Sequence, residues 1–298
     1  MNLQIEKTKF DGLDAIEILT AKFRLIVVTQ MGPRIAHFGT LKGRNLLFWD
    51  YPRKFTRGKW QLLGGHRIWA SRPLADESEE TYLDENEPCT FKINKHGVEV
   101  YGAIHPVFRI RKSLGIKVLN DDTLEIENRI TNESDLVWSG GVWSLTATLP
   151  KSTSFYGVPL GREGAWDIFS LVIPKRWGGT QKVKVNDSAI KYTEDCLIFK
   201  PKGVTSKRMV QAPQGIIGMT DKAEKISFIK HVPYIEGTNY PWNCNIAFYS
   251  GPKNFMTEME NMGPDQGVLP HATIKSKETW MLRAPFDWNK LMGSFKIT

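Results

Sequence analysis

The sequence predicts an all-β protein: one large antiparallel β-sandwich spanning residues 1–298. Three observations carry that expectation. Short β-branched and aromatic runs follow one another along most of the chain, separated by Gly, Pro, Asn or Asp turns. No segment shows an amphipathic helix of three turns. The hydrophobic fraction is 41% and the aromatic fraction 11%, enough for a sizeable core, and no repeat, low-complexity tract or linker divides the chain.

In chain order, Asp14–Thr20 and Phe23–Thr29 read as strands around a polar turn, and Met31-Gly32-Pro33 breaks the pattern before Arg34–Phe38 resumes it. A hairpin turn at 41–45 leads to a strand at Leu46–Trp49. Phe91–Asn94 and Val98–Tyr101 flank the turn Lys95-His96-Gly97, and Val107–Leu119 and Thr123–Thr131 follow, the latter alternating with period two. Trp138–Thr148 reads as one strand carrying a Gly pair, the mark of a bulge or a close backbone approach. Residues 150–179 are looser. Strands return at Cys196–Lys200, Gly215–Thr220, Lys225–Lys230, Asn245–Ser250, Phe255–Met262 and Thr273–Leu282.

Composition excludes several classes. The formal charge is +8, from 40 basic and 32 acidic residues, but the basic residues are dispersed and no nucleic-acid motif is present, so no nucleic-acid partner is expected. Three cysteines, Cys89, Cys196 and Cys244, without a CxxC pair, argue against a disulfide framework or a structural zinc site. The start MNLQIEKTKF lacks the apolar stretch of a signal peptide, and no run reaches the roughly 18 apolar residues of a membrane helix. The expectation is a cytoplasmic protein with no membrane partner.

The stretch Leu62–Pro73 (LLGGHRIWASRP) concentrates chemistry. Paired glycines permit a sharp turn or a close approach. Arg67 presents a fork of donors suited to vicinal oxygens, His66 is the side chain most easily tuned for proton transfer near neutrality, and Trp69 adds an apolar face. That mixture suits a hydroxyl-rich ligand; the alternative is a strand end with a satisfied His, a surface Arg and a core Trp. The following run, Asp76–Pro88, holds seven carboxylates and no basic residue, and reads as a solvated loop in preference to a calcium site.

Several strings taken in order resemble the galactose-mutarotase-like, or aldose 1-epimerase-like, superfamily. Met31–Trp49 is similar to its opening, where a Gly-x-Arg-Ile strand, here bearing Arg34, leads to a turn and an Asn-x-Leu pair. Gly64–Pro73 with Thr81–Pro88, and Trp143–Thr146, resemble an uncharacterised branch; Arg129–Asn132 resembles the strand end that the superfamily follows with a short turn, and Met256–Leu282 resembles the branch's closing Glu-x-Glu strand, Leu-Pro turn and Glu-x-Trp-x-Leu strand. The resemblance implies a supersandwich and cofactor-independent 1-epimerisation of an aldose or sugar phosphate; separately, none of the six histidines is spaced from another like a metal-binding pair, so no metal is expected. A carboxylate takes the anomeric proton, an acid protonates the ring oxygen, and the opened sugar recloses from the other face.

The resemblance places the base at Glu258 or Glu260. Two apart on a strand, they share a face with side chains about 7 Å apart, which weighs against a hydrolase that must flank a glycosidic bond from opposite sides. The family's catalytic His would fall in Gly140–Ser144, where no His stands. His66 is therefore the first substitute acid and His231 the second. Arg67, Trp69, Arg34 and Trp143 are candidate substrate contacts, as are Arg162 and Arg176 in the looser third, where cations would suit a phosphorylated sugar. The Trp supply, including Trp177 and Trp242, suits stacking on sugar rings. The partner expected is a small sugar or an oligosaccharide. A carbohydrate-binding protein without turnover is the competing reading, favoured by the missing His.

Overall fold

The computed structural model describes residues 2–52, 62–71, 82–160, 171–172, 188–193, 195–285 and 288. Among these residues there is no α-helix, and no helix long and apolar enough to cross a membrane. The strands in chain order are β1 (Gln4–Phe10), β2 (Leu13–Leu19), β3 (Phe23–Val28), β4 (Arg34–Thr40), β5 (His66–Ala70), β6 (Thr90–Asn94), β7 (Gly97–Ile104), β8 (Ile110–Asn120), β9 (Thr123–Asn132), β10 (Trp138–Gly140) and β11 (Val142–Thr148). They continue as β12 (Ser154–Pro159), β13 (Leu171–Val172), β14 (Ile190–Tyr192), β15 (Cys196–Phe199), β16 (Ser206–Val210), β17 (Ile216–Asp221), β18 (Ile226–His231), β19 (Ile246–Ser250), β20 (Thr257–Met262), β21 (Gln266–Val268) and β22 (Thr273–Arg283).

Two ten-stranded antiparallel sheets form the sandwich. The first runs β1-β2-β3-β4-β5-β11-β20-β19-β16-β13 and the second β14-β15-β12-β17-β18-β22-β9-β8-β7-β6, with β10-β21 as a separate ribbon. The main apolar cluster lies between them: Phe38 of the first sheet meets Phe228 and Trp280 of the second at centroid distances of 5.0 and 5.3 Å. Large antiparallel sandwiches are thus the architecture, as the strand pattern predicts.

Local differences have local causes. Leu46–Trp49 makes only isolated bridges, Leu47 to Thr148 and Trp49 to Gly64. Asn45 takes over there: its Oδ1 accepts from the Phe38 and Leu47 amides and its Nδ2 donates to the Ala36 carbonyl, folding the segment into a turn. Trp138–Thr148 is two strands, because Gly141 passes against residues 263–264 so closely that a Cβ would lie 2.8 Å from two carbonyl oxygens. β1, β12 and β16 carry too little apolar alternation to announce themselves. Gly64 and Gly65 both adopt left-handed φ (81° and 72°), and a Cβ on either would lie 2.2 Å from a carbonyl oxygen, so glycine is required twice in succession before β5.

A polar network crosses the apolar interior. Glu278 of β22 is fully buried, 3.2 Å from the equally buried Lys230 of β18. It accepts from Trp280 Nε1 (2.7 Å), from Asn128 Nδ2 (2.9 Å) and from the Ser144 hydroxyl of β11. Lys230 Nζ also donates to the Met259 carbonyl of β20 at 3.3 Å. Burial raises the Glu278 carboxyl, but Lys230, His66 and its hydrogen bonds outweigh burial and hold it below the usual carboxylate range. The network ties both sheets at one register.

This pairing yields a stability prediction. Glu278→Gln leaves the Lys230 ammonium buried without a counter-charge and should cost about 3–5 kcal/mol in urea unfolding. Adding Lys230→Met should recover part of that loss, because the uncompensated charge is gone and the single Gln carbonyl can still accept from Asn128 and Ser144, which share one oxygen of Glu278. A double variant no more stable than the single one would show that the ion pair is not what the network depends on.

Candidate functional site

Strand alternation divides β5, β11 and β20 between two faces. Ile68, Val142 and Met259 join the core between the sheets, whereas Trp69, Trp143, Leu145 and Met262 form a second apolar cluster on the outer face of the first sheet. Register arranges that outer face in rows. Trp69 lies opposite Trp143, and Trp143 opposite Met262. Arg67, Leu145, Glu260 and Ala247 make the next row, and Ala147, Glu258, Tyr249 and Lys207 the third.

Cations cross the rows diagonally. Arg67 Nη2 stands 3.5 Å from Glu258 Oε1, and Lys207 Nζ of β16 sits against both oxygens of Glu260. Trp143 Nε1 donates to Glu260 Oε2 at 2.9 Å. Arg67 lies 4.6 Å over the Trp69 ring and Lys207 5.1 Å over the Trp143 ring, so the same cations pack on the aromatic floor. Glu258, Glu260, Arg67, Trp69 and Trp143 are therefore brought together, all of them buried. Trp69 and Trp143 are only 6% and 4% exposed and spend their indole N–H groups on Glu85 and Glu260, so they act as walls more than as open stacking faces.

His66 is not part of this cluster. It neighbours Arg67 on a strand and so points the other way, into the interior. There Nδ1 bonds the Thr146 hydroxyl and Nε2 the Asn128 side chain, both at 2.8 Å. Burial pushes its pKa down to about 4, with Glu278 opposing only in part. The imidazole expected to act as the acid thus lies on the opposite face of the sheet from Glu258 and Glu260. His231 is also placed apart from the pair: it lies on β18 of the second sheet, alternating with the inward Lys230, and carries its ring to the far face. Arg162 and Arg176 lie outside the described residues.

The acidic run departs most from expectation. Its described part, residues 82–88, is not a solvated loop: Asp84 and Glu85 are buried. Glu85 accepts from Arg34 Nη2 and from Trp69 Nε1, both at 2.8 Å, with Arg67 at 3.4 Å and Lys112 of the second sheet at 3.8 Å. Lys112 Nζ also donates to Asp84 at 2.9 Å. Burial alone would raise Glu85, but Arg67, Lys112 and Arg34 with the Trp69 N–H hold it at about 2. Arg34 is fully buried and divided between Glu85 and the Gly64 carbonyl, so it braces the glycine turn. Lys207, Glu85, Asp84 and Lys112 are the residues that sequence reasoning did not assign. Among the described residues four cations (Arg34, Arg67, Lys112, Lys207) thus face four carboxylates (Asp84, Glu85, Glu258, Glu260). Among the described residues no group of three or more His, Cys, Asp or Glu side chains is placed to hold a metal ion.

A depressed carboxylate contributes stability above its unfolded pKa and loses it as pH falls through the folded value. For Glu85 that window runs from 4.5 down to about 2. The wild-type protein should therefore lose on the order of 3 kcal/mol from this group across it. Glu85→Gln should be less stable at pH 7 and flatter in its pH dependence below 4.5. Thermal melts at stepped pH check this, and parallel wild-type and variant curves would contradict it.

No family model matches the chain, and no curated protein matches it in sequence. Solved structures do match it. A candidate aldose 1-epimerase from Escherichia coli superposes with TM-score 0.62 at 11% identity, over 95% of this chain and 100% of that one. A galactose mutarotase-like protein from Clostridium acetobutylicum gives 0.54 at 10% identity, over 95% and 99%. A TPR-domain containing protein from Parabacteroides distasonis gives 0.61 at 14% identity over 96% of this chain, which spans about half (49%) of that protein's length.

Proposed function

The chain has the mutarotase-like β-sandwich fold of these structures, and we propose that it handles a carbohydrate on the outer face of the first sheet as a cofactor-independent aldose 1-epimerase. The observation that carries the reading is the register that sets Glu258 and Glu260 on one face, beside two cations and an aromatic wall. Glu258 takes the base role. Its cation stands at 3.5 Å, whereas Glu260 is held by Lys207 and the Trp143 N–H together.

In this mechanism Glu258 removes the proton of the anomeric hydroxyl as the C1–O5 bond breaks. The Lys207 ammonium, positioned by Glu260, donates a proton to O5, and Arg67 grips neighbouring hydroxyls. After rotation of the carbonyl carbon, O5 attacks the opposite face, Lys207 recovers its proton and Glu258 returns its own to O1. Protons and electrons balance without a cofactor. Among the described residues the cations and carboxylates of the site are equal in number, which supports a neutral sugar: a phosphate would have to draw a cation from a carboxylate that is buried with it. The competing reading, a carbohydrate-binding protein without turnover, is favoured by the position of His66, which takes the expected imidazole away from the pair.

Micromolar protein should speed equilibration of freshly dissolved single anomers from a panel of free aldoses, followed by optical rotation. Glu258→Gln should lower the rate by about 10²–10⁴, while Glu260→Gln, which releases Lys207, should lower the rate less and weaken binding. Buffer-level rates across the panel, with sugar still bound in calorimetry, would select the binding protein. Arg67→Lys should weaken binding despite its charge, since the planar fork is lost.

A further inference from the structure

Trp242 stands apart from the other tryptophans of the site. It lies in the loop between β18 and β19, in the 3-10 turn Pro241–Asn243, and is 47% exposed. Its ring packs edge-on against Trp143 with centroids 6.3 Å apart, and Trp143 in turn donates to Glu260. The row Trp69–Trp143–Trp242 thus runs from the buried wall out to a half-exposed ring at the rim.

The backbone works to hold it there. Trp242 and Asn243 both take left-handed φ, 52° and 57°, a conformation that a bulky residue avoids. The turn is clamped by the Asn243 amide on the Tyr240 carbonyl and the Cys244 amide on the Pro241 carbonyl, both at 3.0 Å. Tyr240 stacks on Tyr234 at 5.0 Å, and the Asp265 amide bonds the Asn239 carbonyl at 2.7 Å. A strained backbone kept in place by its surroundings points to use of what it presents. What it presents is an indole beside the carboxylate pair, displaced outward by one aromatic ring.

Building on the carbohydrate reading above, we propose that Trp242 is the stacking platform for a second sugar ring. The ligand is then an oligosaccharide whose reducing-end ring lies against Glu258 and Glu260, with the next ring, linked through a non-anomeric hydroxyl, laying its C–H face on the indole. The reducing end keeps a free anomeric hydroxyl, so the chemistry at Glu258 is unchanged.

Isothermal titration with glucose and galactose, and with maltose, cellobiose and lactose, tests this on the full chain. At least one disaccharide should bind about tenfold more tightly than its reducing-end monosaccharide. Trp242→Ala should bring that ratio close to one. Trp242→Phe, which keeps a smaller ring against Trp143, should give an intermediate ratio and serves if the Ala variant does not fold. A variant that merely loosened the site would lower both affinities and leave the ratio intact. Disaccharides binding no tighter than monosaccharides, or a ratio untouched by either substitution, would overturn the platform and leave the carbohydrate reading standing. No binding by any of the five sugars would overturn both.

Discussion

The arrangement depends on one buried ion pair. Glu278 and Lys230 are both on the second sheet, yet each reaches the first: Glu278 through Ser144 of β11, and Lys230 through the Met259 carbonyl of β20. Two charges taken out of water need every remaining donor and acceptor satisfied. Trp280 and Asn128 meet part of that need within the second sheet, and Ser144 and Met259 of the first sheet complete it only when the two sheets are in this register. Met259 lies between the two glutamates of the outer face. Lys230 therefore pins, from behind, the strand that carries Glu258 and Glu260 forward.

The same alternation sorts the chemistry of adjacent residues. On β5, His66 turns inward to Thr146 and Asn128 while Arg67 turns outward to Glu85 and Glu258. On β11, Ser144 and Thr146 serve the interior network while Trp143 serves Glu260. Three strands thus feed two polar clusters, one on each side of the sheet. The imidazole falls in the interior cluster, where burial keeps it neutral at ordinary pH. Among the described residues the charged groups on the outer face are carboxylates, guanidinium groups and ammonium groups, and the proton donor proposed there is the Lys207 ammonium paired with Glu260.

Glu85 gives the outer cluster its rigidity. A carboxylate that accepts from Arg34 and Trp69 and sits near Arg67 and Lys112 holds two strands of the first sheet and one of the second at once. Arg67 is consequently shared between Glu85 and Glu258, at 3.4 and 3.5 Å, with neither contact short. Its guanidinium is oriented by these two carboxylates and packs 4.6 Å over the Trp69 ring.

How much of this was legible in the sequence follows from what alternation can and cannot report. Glu258 and Glu260 are two apart on a strand, so their common face was readable, as was the demand for glycine at Gly64 and Gly65. Which face of the strand meets the core was not. β11 and β20 are buried on both sides, and a strand buried twice loses the polar–apolar contrast that would mark its orientation. His66 and Arg67 were therefore credited to one site although neighbours on a strand must part. Lys207 lies in SKRMV, where two basic residues hide a buried strand, and only the pairing of β16 with β19 brings it level with Glu258. Glu85 was masked by its company: a run of seven carboxylates reads as solvated until Arg34, Arg67 and Lys112, from three separate strands, are found to converge on it. Long-range pairing of opposite charges leaves no local signature, so the residues that organise this site are the ones a local reading discards.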